Sequence, residues 1–268
     1  MPNLAIAIAC FLLFFFALLY LYTPLKVRKT NPSPFSNFTL LPSLDDPPVY
    51  PEGRDFIHRT SQALIDHGFT LLAYLRNDHS RANFQNYSIV AILADDQHAR
   101  LAQVCFIFTC NQTAETPILR TSTGIILETS YADGFILQSA TLPEHNIFVS
   151  RPNTWGVSFH GYIKDAAPLL QIHEVLEQHR GHGTLRPTTA STDAKAHMER
   201  TNDEVMALQV QHGYYTRDET ARLYRKTIYG AYRITWKLLP PLKQWTTFKA
   251  RREARQWLAK APSPAAPG

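Results

Sequence analysis

Residues 4–22 are nineteen consecutive apolar or aromatic positions. A helix rising 1.5 Å per residue would carry such a run about 28 Å, close to the hydrocarbon thickness of a bilayer. An amphipathic helix of a soluble core would interrupt the run with polar residues every three or four positions. A cleavable signal would want a basic start, an apolar stretch of roughly 7–15 residues and small residues at the cut. Only Pro2 and Asn3 follow Met1 here, and the run ends in Tyr20, Tyr22, Thr23 and Pro24. Residues 1–23 are therefore expected to be a retained transmembrane anchor. Tyr20 and Tyr22 would sit in the interfacial aromatic belt, and Pro24 would stop the helix.

Flanking charge gives a direction. Lys26, Arg28 and Lys29 follow the run, and no acid occurs before Asp45. Basic residues stay on the cytoplasmic side, which predicts an inner-membrane protein with its N-terminus out and its main domain in the cytoplasm. Three cysteines, with Cys10 inside the run, make no disulfide framework. Cys105 and Cys110, five apart in a strand-like stretch, should point to opposite faces as small buried hydrophobes. Asn37, Asn86 and Asn111 each open an Asn-x-Ser/Thr sequon, which speaks against a cytoplasmic placement only in a eukaryotic secretory pathway.

The remaining chain divides by pattern. Residues 24–52 hold seven of the eighteen prolines and no clear period, so they read as an extended tether. Residues 53–181 read as an α+β domain. It has a helix over 54–67 closed by Gly68 and strands over 69–75, 88–94, 100–109, 124–131 and 135–140. The last two flank an Ala132, Asp133, Gly134 turn, and a helix over 169–179 follows. About five antiparallel strands with flanking helices make a sheet covered by helices on one face. The strand around 104–108 is apolar on both sides. It is either central or held in an interface, so Val104, Phe106 and Phe108 are the candidate surface for a protein partner or a homo-oligomer. Residues 192–260 should be mainly helical: a helix over 192–212, a small hairpin from 214–216 and 223–226, a helix capped by Thr227, and a basic helix over 243–260. A disordered tail, 261–268, would end the chain.

Charge is concentrated at that end. Residues 221–268 carry eleven basic residues and one acid, Glu253, interleaved with aromatics. Arg222, Arg225, Lys226, Arg233, Trp236, Lys237, Lys243, Trp245, Lys249, Arg251, Arg252 and Arg255 therefore form a candidate surface for an anionic leaflet. The same composition suits nucleic acid, the lesser alternative. A wing-like hairpin is present, but only one helix precedes it where a helix-turn-helix needs two. His173, Glu174, Glu177, His179 and His182 resemble a metal cluster in composition. Position 177 is Glu where a zincin helix needs its second His, so these read as polar residues on the outer face of a helix. No nucleophile elbow, phosphate-binding loop or dinucleotide fingerprint occurs, and no catalytic residue, cofactor or metal is expected.

One resemblance bears on the C-terminal region. Gly213, Tyr214 and Tyr215, then Tyr224, Arg225, Lys226 and Thr227, Gly230 and Ala231, Thr235, Trp236 and Lys237, and Pro240 resemble the C-terminal pattern of bacterial single-pass membrane proteins of unknown function. In those a strand pair with an Asp-Gly turn precedes this pattern, as near Asp133 and Gly134 here. The resemblance implies bacterial origin and a membrane address and supplies no active-site residues. The leading expectation is thus a membrane-anchored, non-enzymatic binding or scaffold protein whose basic aromatic region docks on the inner leaflet. The alternatives are a membrane-bound hydrolase and a membrane-associated nucleic-acid binder.

Overall fold

Alternating apolar residues over 69–140 make strands because successive side chains point to opposite faces of a sheet. In the computed structural model this gives a mixed α+β fold with flanking helices. The structure describes residues 2–29, 33–45, 49–80, 84–95, 99–111, 118–142, 150–181, 183–188, 190 and 193–261. The chain divides into two compact units. One, the helical unit, comprises Met1–Phe35, His145–Arg151 and Asp203–Phe248. The other, the sheet unit, comprises Ser36–Glu144, Pro152–Asn202 and Lys249–Gly268.

The sheet unit holds seven strands in sequential order. They are β2 (Phe38–Leu41), β3 (Phe69–Asp78), β4 (Phe84–Asp95), β5 (Arg100–Asn111), β6 (Ile118–Ser130), β7 (Ile136–Ala140) and β8 (Thr154–Ser158). Neighbours are antiparallel except β7 and β8, which are parallel. Helices α2 (Pro51–Ile65) and α3 (Ala166–Arg180) cover one face. That face supplies Ile89, Ala91, Leu93, Val104, Phe106 and Phe108 to the main core. The opposite face supplies Val90, Ile92, Ala94, Leu101 and Cys105, packed under Ala190, Ala194 and Met198 at the start of α4 (Ala194–Gln211). Cys105 and Cys110 belong to opposite clusters, as their spacing requires. α2 begins with Pro51 in its first turn and is followed by Gly68 at φ +87°. Gly53 lies against the Phe106 ring, where any Cβ would collide with it.

The helical unit contains α1 (Pro2–Lys29) and a three-stranded sheet ordered β1 (Ser33–Pro34), β10 (Leu223–Lys226), β9 (Tyr215–Asp218). It also contains α5 (Ile228–Leu238) and the first turns of α6 (Leu242–Leu258). Tyr214, Tyr215, Tyr224 and Ile234 form its small core, with Phe35, Met206 and Val210 against it. Thr227 caps α5 by accepting a hydrogen bond from the Gly230 amide at 2.8 Å.

Five expectations need correction. Residues 24–52 are not a featureless tether: α1 runs through Pro24 to Lys29, and the segment also supplies β1, β2 and the start of α2. Two- and four-residue edge strands are too short to show a period, and edge strands tolerate proline. Pro24 costs α1 one hydrogen bond without stopping it. The sheet has seven strands where about five were expected, because β2 pairs with β3 at one edge and 154–158 pairs in parallel with β7 around Gly156 at the other. Val104, Phe106 and Phe108 are buried within the chain beneath α2 and Tyr50, and offer no partner surface. The strand's two-sided apolar pattern reflects cover on both faces by its own chain. His173, assigned to an outer helix face, is fully buried. Pro32, Pro47, Pro48, Asp96, Gln112, Thr113, His182, Thr192 and 262–268 lie outside the described residues, as does the Lys29 side chain.

Candidate functional site

In the helical unit, α5 is fastened to the end of the apolar run by a specific chemical need. A helical carbonyl accepts from the amide four residues on, so the Tyr20 carbonyl should be served by residue 24. Residue 24 is proline and has no N–H to give. The Trp236 indole N–H donates to the Tyr20 carbonyl instead, at 3.2 Å. The Tyr232 hydroxyl donates to the neighbouring Leu21 carbonyl at 3.1 Å. Tyr232 and Trp236 are one helical turn apart on α5, with ring centroids 5.6 Å apart edge to face. Pro24 itself is buried. Within α1, Ile6–Arg28 is long and apolar enough to cross a membrane.

Around this clasp the helical unit exposes large apolar groups beside basic ones. Tyr229, Trp236, Leu238 and Leu242 are exposed, and Trp245 and Phe248 are 57% and 59% exposed. Arg233 and Lys243 are exposed among them, and Lys237 is half-buried. Of the other predicted interface residues, Tyr22, Lys26 and Arg28 are exposed. Arg222 is exposed with its guanidinium 5.9 Å from the Phe35 ring centroid. Arg225 is exposed and paired with Asp218 at 2.9 Å, and burial pulls the Lys226 pKa down. The remaining four predicted residues, Lys249, Arg251, Arg252 and Arg255, belong to the sheet unit. There the Arg255 guanidinium donates to the Tyr162 hydroxyl at 2.8 Å. The basic aromatic stretch that looked continuous in sequence is therefore shared between two units.

A second arrangement, in the sheet unit, was missed in the sequence except for two of its members. His173 on α3 sits between two strands: its Nδ1 is 2.8 Å from Ser139 Oγ on β7, and its Nε2 is 2.9 Å from Thr129 Oγ1 on β6. The Thr129 hydroxyl donates to Glu177 Oε1 at 2.5 Å. Arg100 holds both oxygens of Glu177, from Nε at 3.0 Å and Nη2 at 2.6 Å. A carboxylate paired in this way only accepts, so Thr129 spends its proton on Glu177. Thr129 then accepts from the imidazole Nε2–H, and Nδ1 accepts from Ser139. The partners assign the neutral tautomer.

Charge behaves accordingly. Burial pushes the His173 pKa down to about 4, against attraction from Glu177. Burial opposes the charge on Arg100, but the hydrogen bonds and field of Glu177, with Glu174 and Asp95, raise its pKa overall. Tyr131, buried and facing the same carboxylate, is pushed up to about 12. A serine hydroxyl donating to an imidazole is the pairing a hydrolytic nucleophile requires. Ser139, Thr129 and His173 are all 0% exposed, however, so a substrate has no route to them in this conformation. What the cluster does is bolt α3 to β5, β6 and β7. One signal could have revealed it. Leu169, Ile172, His173 and Leu176 follow the i, i+3, i+4, i+7 stripe of a core-facing surface, so His173 was marked as buried by its neighbours.

Among the described residues, no group of three or more His, Cys, Asp or Glu side chains could hold a metal ion. Comparison with protein-family models, with curated proteins and with solved structures gives no significant match. The tail pattern and its Asp-Gly turn thus gain no family from these comparisons, and the functional reading rests on the geometry alone.

Proposed function

We propose that this chain is a membrane-anchored binding or scaffold protein. In this reading α1 spans the cytoplasmic membrane with its N-terminus outside. α5 and the first turns of α6 lie in the headgroup layer of the inner leaflet, and the sheet unit works in the cytoplasm. The observation that carries the reading is the clasp: Trp236 and Tyr232 attach α5 at Tyr20 and Leu21, where the apolar run ends and headgroups would begin. From there α5 and α6 expose Trp236, Trp245 and Phe248 beside Arg233, Lys237 and Lys243, the mixture that suits an amphipathic segment lying in an anionic interface. Each basic group near such a leaflet contributes about 1 kcal/mol, lost with salt. An anchor in the same chain raises the effective concentration, so weak contacts suffice. Lys26, Arg28 and Lys29 after the run support the orientation. The closed Ser139–His173 pair supports a structural role for that cluster over the hydrolytic alternative.

Two measurements test this. Reporters fused after Gly268 should read cytoplasmic. In anionic vesicles containing brominated lipid, the full chain should lose a large part of its indole fluorescence, and the quenchable part should disappear in a Trp236→Phe, Trp245→Phe variant. An extracytoplasmic reporter, or quenching unchanged in that variant, would overturn the reading.

A further inference from the structure

The sheet unit contains a basic groove that the membrane reading does not use. Its volume is about 360 Å³, and its lining includes Arg180, Lys249, Arg252, Gln256, Trp257 and Lys260. Positions 249, 252, 256 and 260 are spaced by three and four residues, so they form one stripe along α6 and the turn after it. Arg180, at the end of α3, lines the same cavity. The single acid in the lining is Glu253.

The floor of the groove is aromatic. Trp257 is buried, with the Trp155 ring edge-on at 5.7 Å and the His179 ring edge-on at 5.6 Å. Two of the four cations are held by this aromatic cluster: Arg180 lies 5.3 Å from the Trp155 centroid, and the Lys260 ammonium 4.1 Å from the Trp257 centroid. Long basic side chains on a solvated face normally keep their rotamer freedom and diverge. Here ring faces restrain two of them beside a shared concavity. The lining brings four basic side chains and one carboxylate to a single concavity, a charge balance that attracts an anion. A single carboxylate ligand would leave most of that charge unmatched. A phosphate group brings several acceptor oxygens and more than one negative charge, which suits an arginine fork combined with lysine ammoniums. The cavity is of the size that holds a small ligand.

We infer that this groove binds a multiply charged phosphate group, carried either by a soluble compound or by a lipid headgroup. The inference does not depend on leaflet docking by the helical unit, since the two use different residues.

The test uses the full chain in phosphatidylcholine nanodiscs. In one arm inorganic tripolyphosphate is titrated in by calorimetry. In the other, binding of free chain in detergent to vesicles with and without phosphatidic acid is measured. Tripolyphosphate should bind saturably at one site. Arg180→Gln with Lys260→Gln should weaken it about tenfold or more, since two charge-assisted contacts are lost. Lys237→Gln with Lys243→Gln, which removes the same charge from the helical unit, should change it little. Melting temperatures of both variants confirm that the fold is intact. If phosphatidic acid vesicles bind in an Arg180- and Lys260-dependent way and tripolyphosphate competes, the phosphate comes from lipid. If only the soluble arm depends on those residues, it comes from a soluble compound. Equal weakening by both variant pairs, or no dependence on Arg180 and Lys260 in either arm, overturns the inference.

Discussion

Protonating His173 should destabilise this protein from within, and the size of the effect follows from its surroundings. In the folded chain the imidazole is neutral. It donates to Thr129, accepts from Ser139, and is closed off from water. Its pKa falls from the ordinary value of 6.5 to about 4. A depressed folded pKa means that stability is fully present above the unfolded pKa and is lost as pH falls from there through the folded one. At about 1.4 kcal/mol per pH unit, this residue alone should remove about 2 kcal/mol by pH 5 and roughly 3 kcal/mol below pH 4. The comparison is with His173→Gln, whose amide can still donate to Thr129 and accept from Ser139 but does not titrate. Denaturant unfolding of the full chain in a non-ionic detergent, from pH 8 to pH 5, gives both stability curves. Carboxylate titrations common to the two proteins cancel in the difference. Wild type should be the more stable at pH 8 by about 1–2 kcal/mol, the usual cost of a core replacement. That advantage should shrink through pH 6 and vanish or reverse near pH 5. A gap that stays constant over this range would refute the burial and tautomer assigned to His173.

Three further outcomes are expected. Trp236→Phe should cost about 0.5–1.5 kcal/mol through its lost hydrogen bond to the Tyr20 carbonyl. In a Pro24→Ala background, where residue 24 regains an amide for that carbonyl, the hydrogen-bond part of the cost should disappear. A double-mutant cycle by denaturant unfolding reads this, and zero coupling between the two sites rules the clasp out. Gly230→Ala would drive a Cβ into the Tyr214 backbone, which cannot yield as a side-chain tip can; the expected loss is about 1–3 kcal/mol, seen as a lower melting temperature. Phe106→Ala should cost about 3–5 kcal/mol, with the oligomeric state unchanged by light scattering. A change of assembly without destabilisation would restore an interface role for that strand.

Much of the fold was legible because it is written in local periods. Alternation over 69–140, the Asp133-Gly134 turn and the Thr227 cap all report interactions within a few residues. Each has its counterpart in the structure: Asp133 accepts from the Phe135 amide, Gly134 takes φ +85°, and Thr227 accepts from Gly230. What the sequence concealed depends on distant partners. β1 and β2 are too short to carry a period, and each exists because a long-range neighbour completes it, β10 for one and β3 for the other. Composition marks Val104, Phe106 and Phe108 as sticky, but cannot say whether the cover comes from another copy or from α2 of the same chain. The polar cluster is the clearest case. Arg100, Thr129, Ser139 and Glu177 lie on four elements, and their only joint trace in the sequence was a histidine inside an apolar stripe.

The bond between Trp236 and Tyr20 spans 216 residues, and that separation imposes an order on synthesis. At about 5–20 residues per second, α1 leaves the ribosome roughly 10–40 s before α5 exists. During that interval the carbonyl facing Pro24 lacks its partner on α5, and β1 has no strand to join. The strands β3 to β6 pair with their immediate successors and can form as they emerge. The nascent chain should therefore complete its sheet first and close the region around α1 last. A ribosome stalled before residue 228 would hold a finished sheet beside an open clasp.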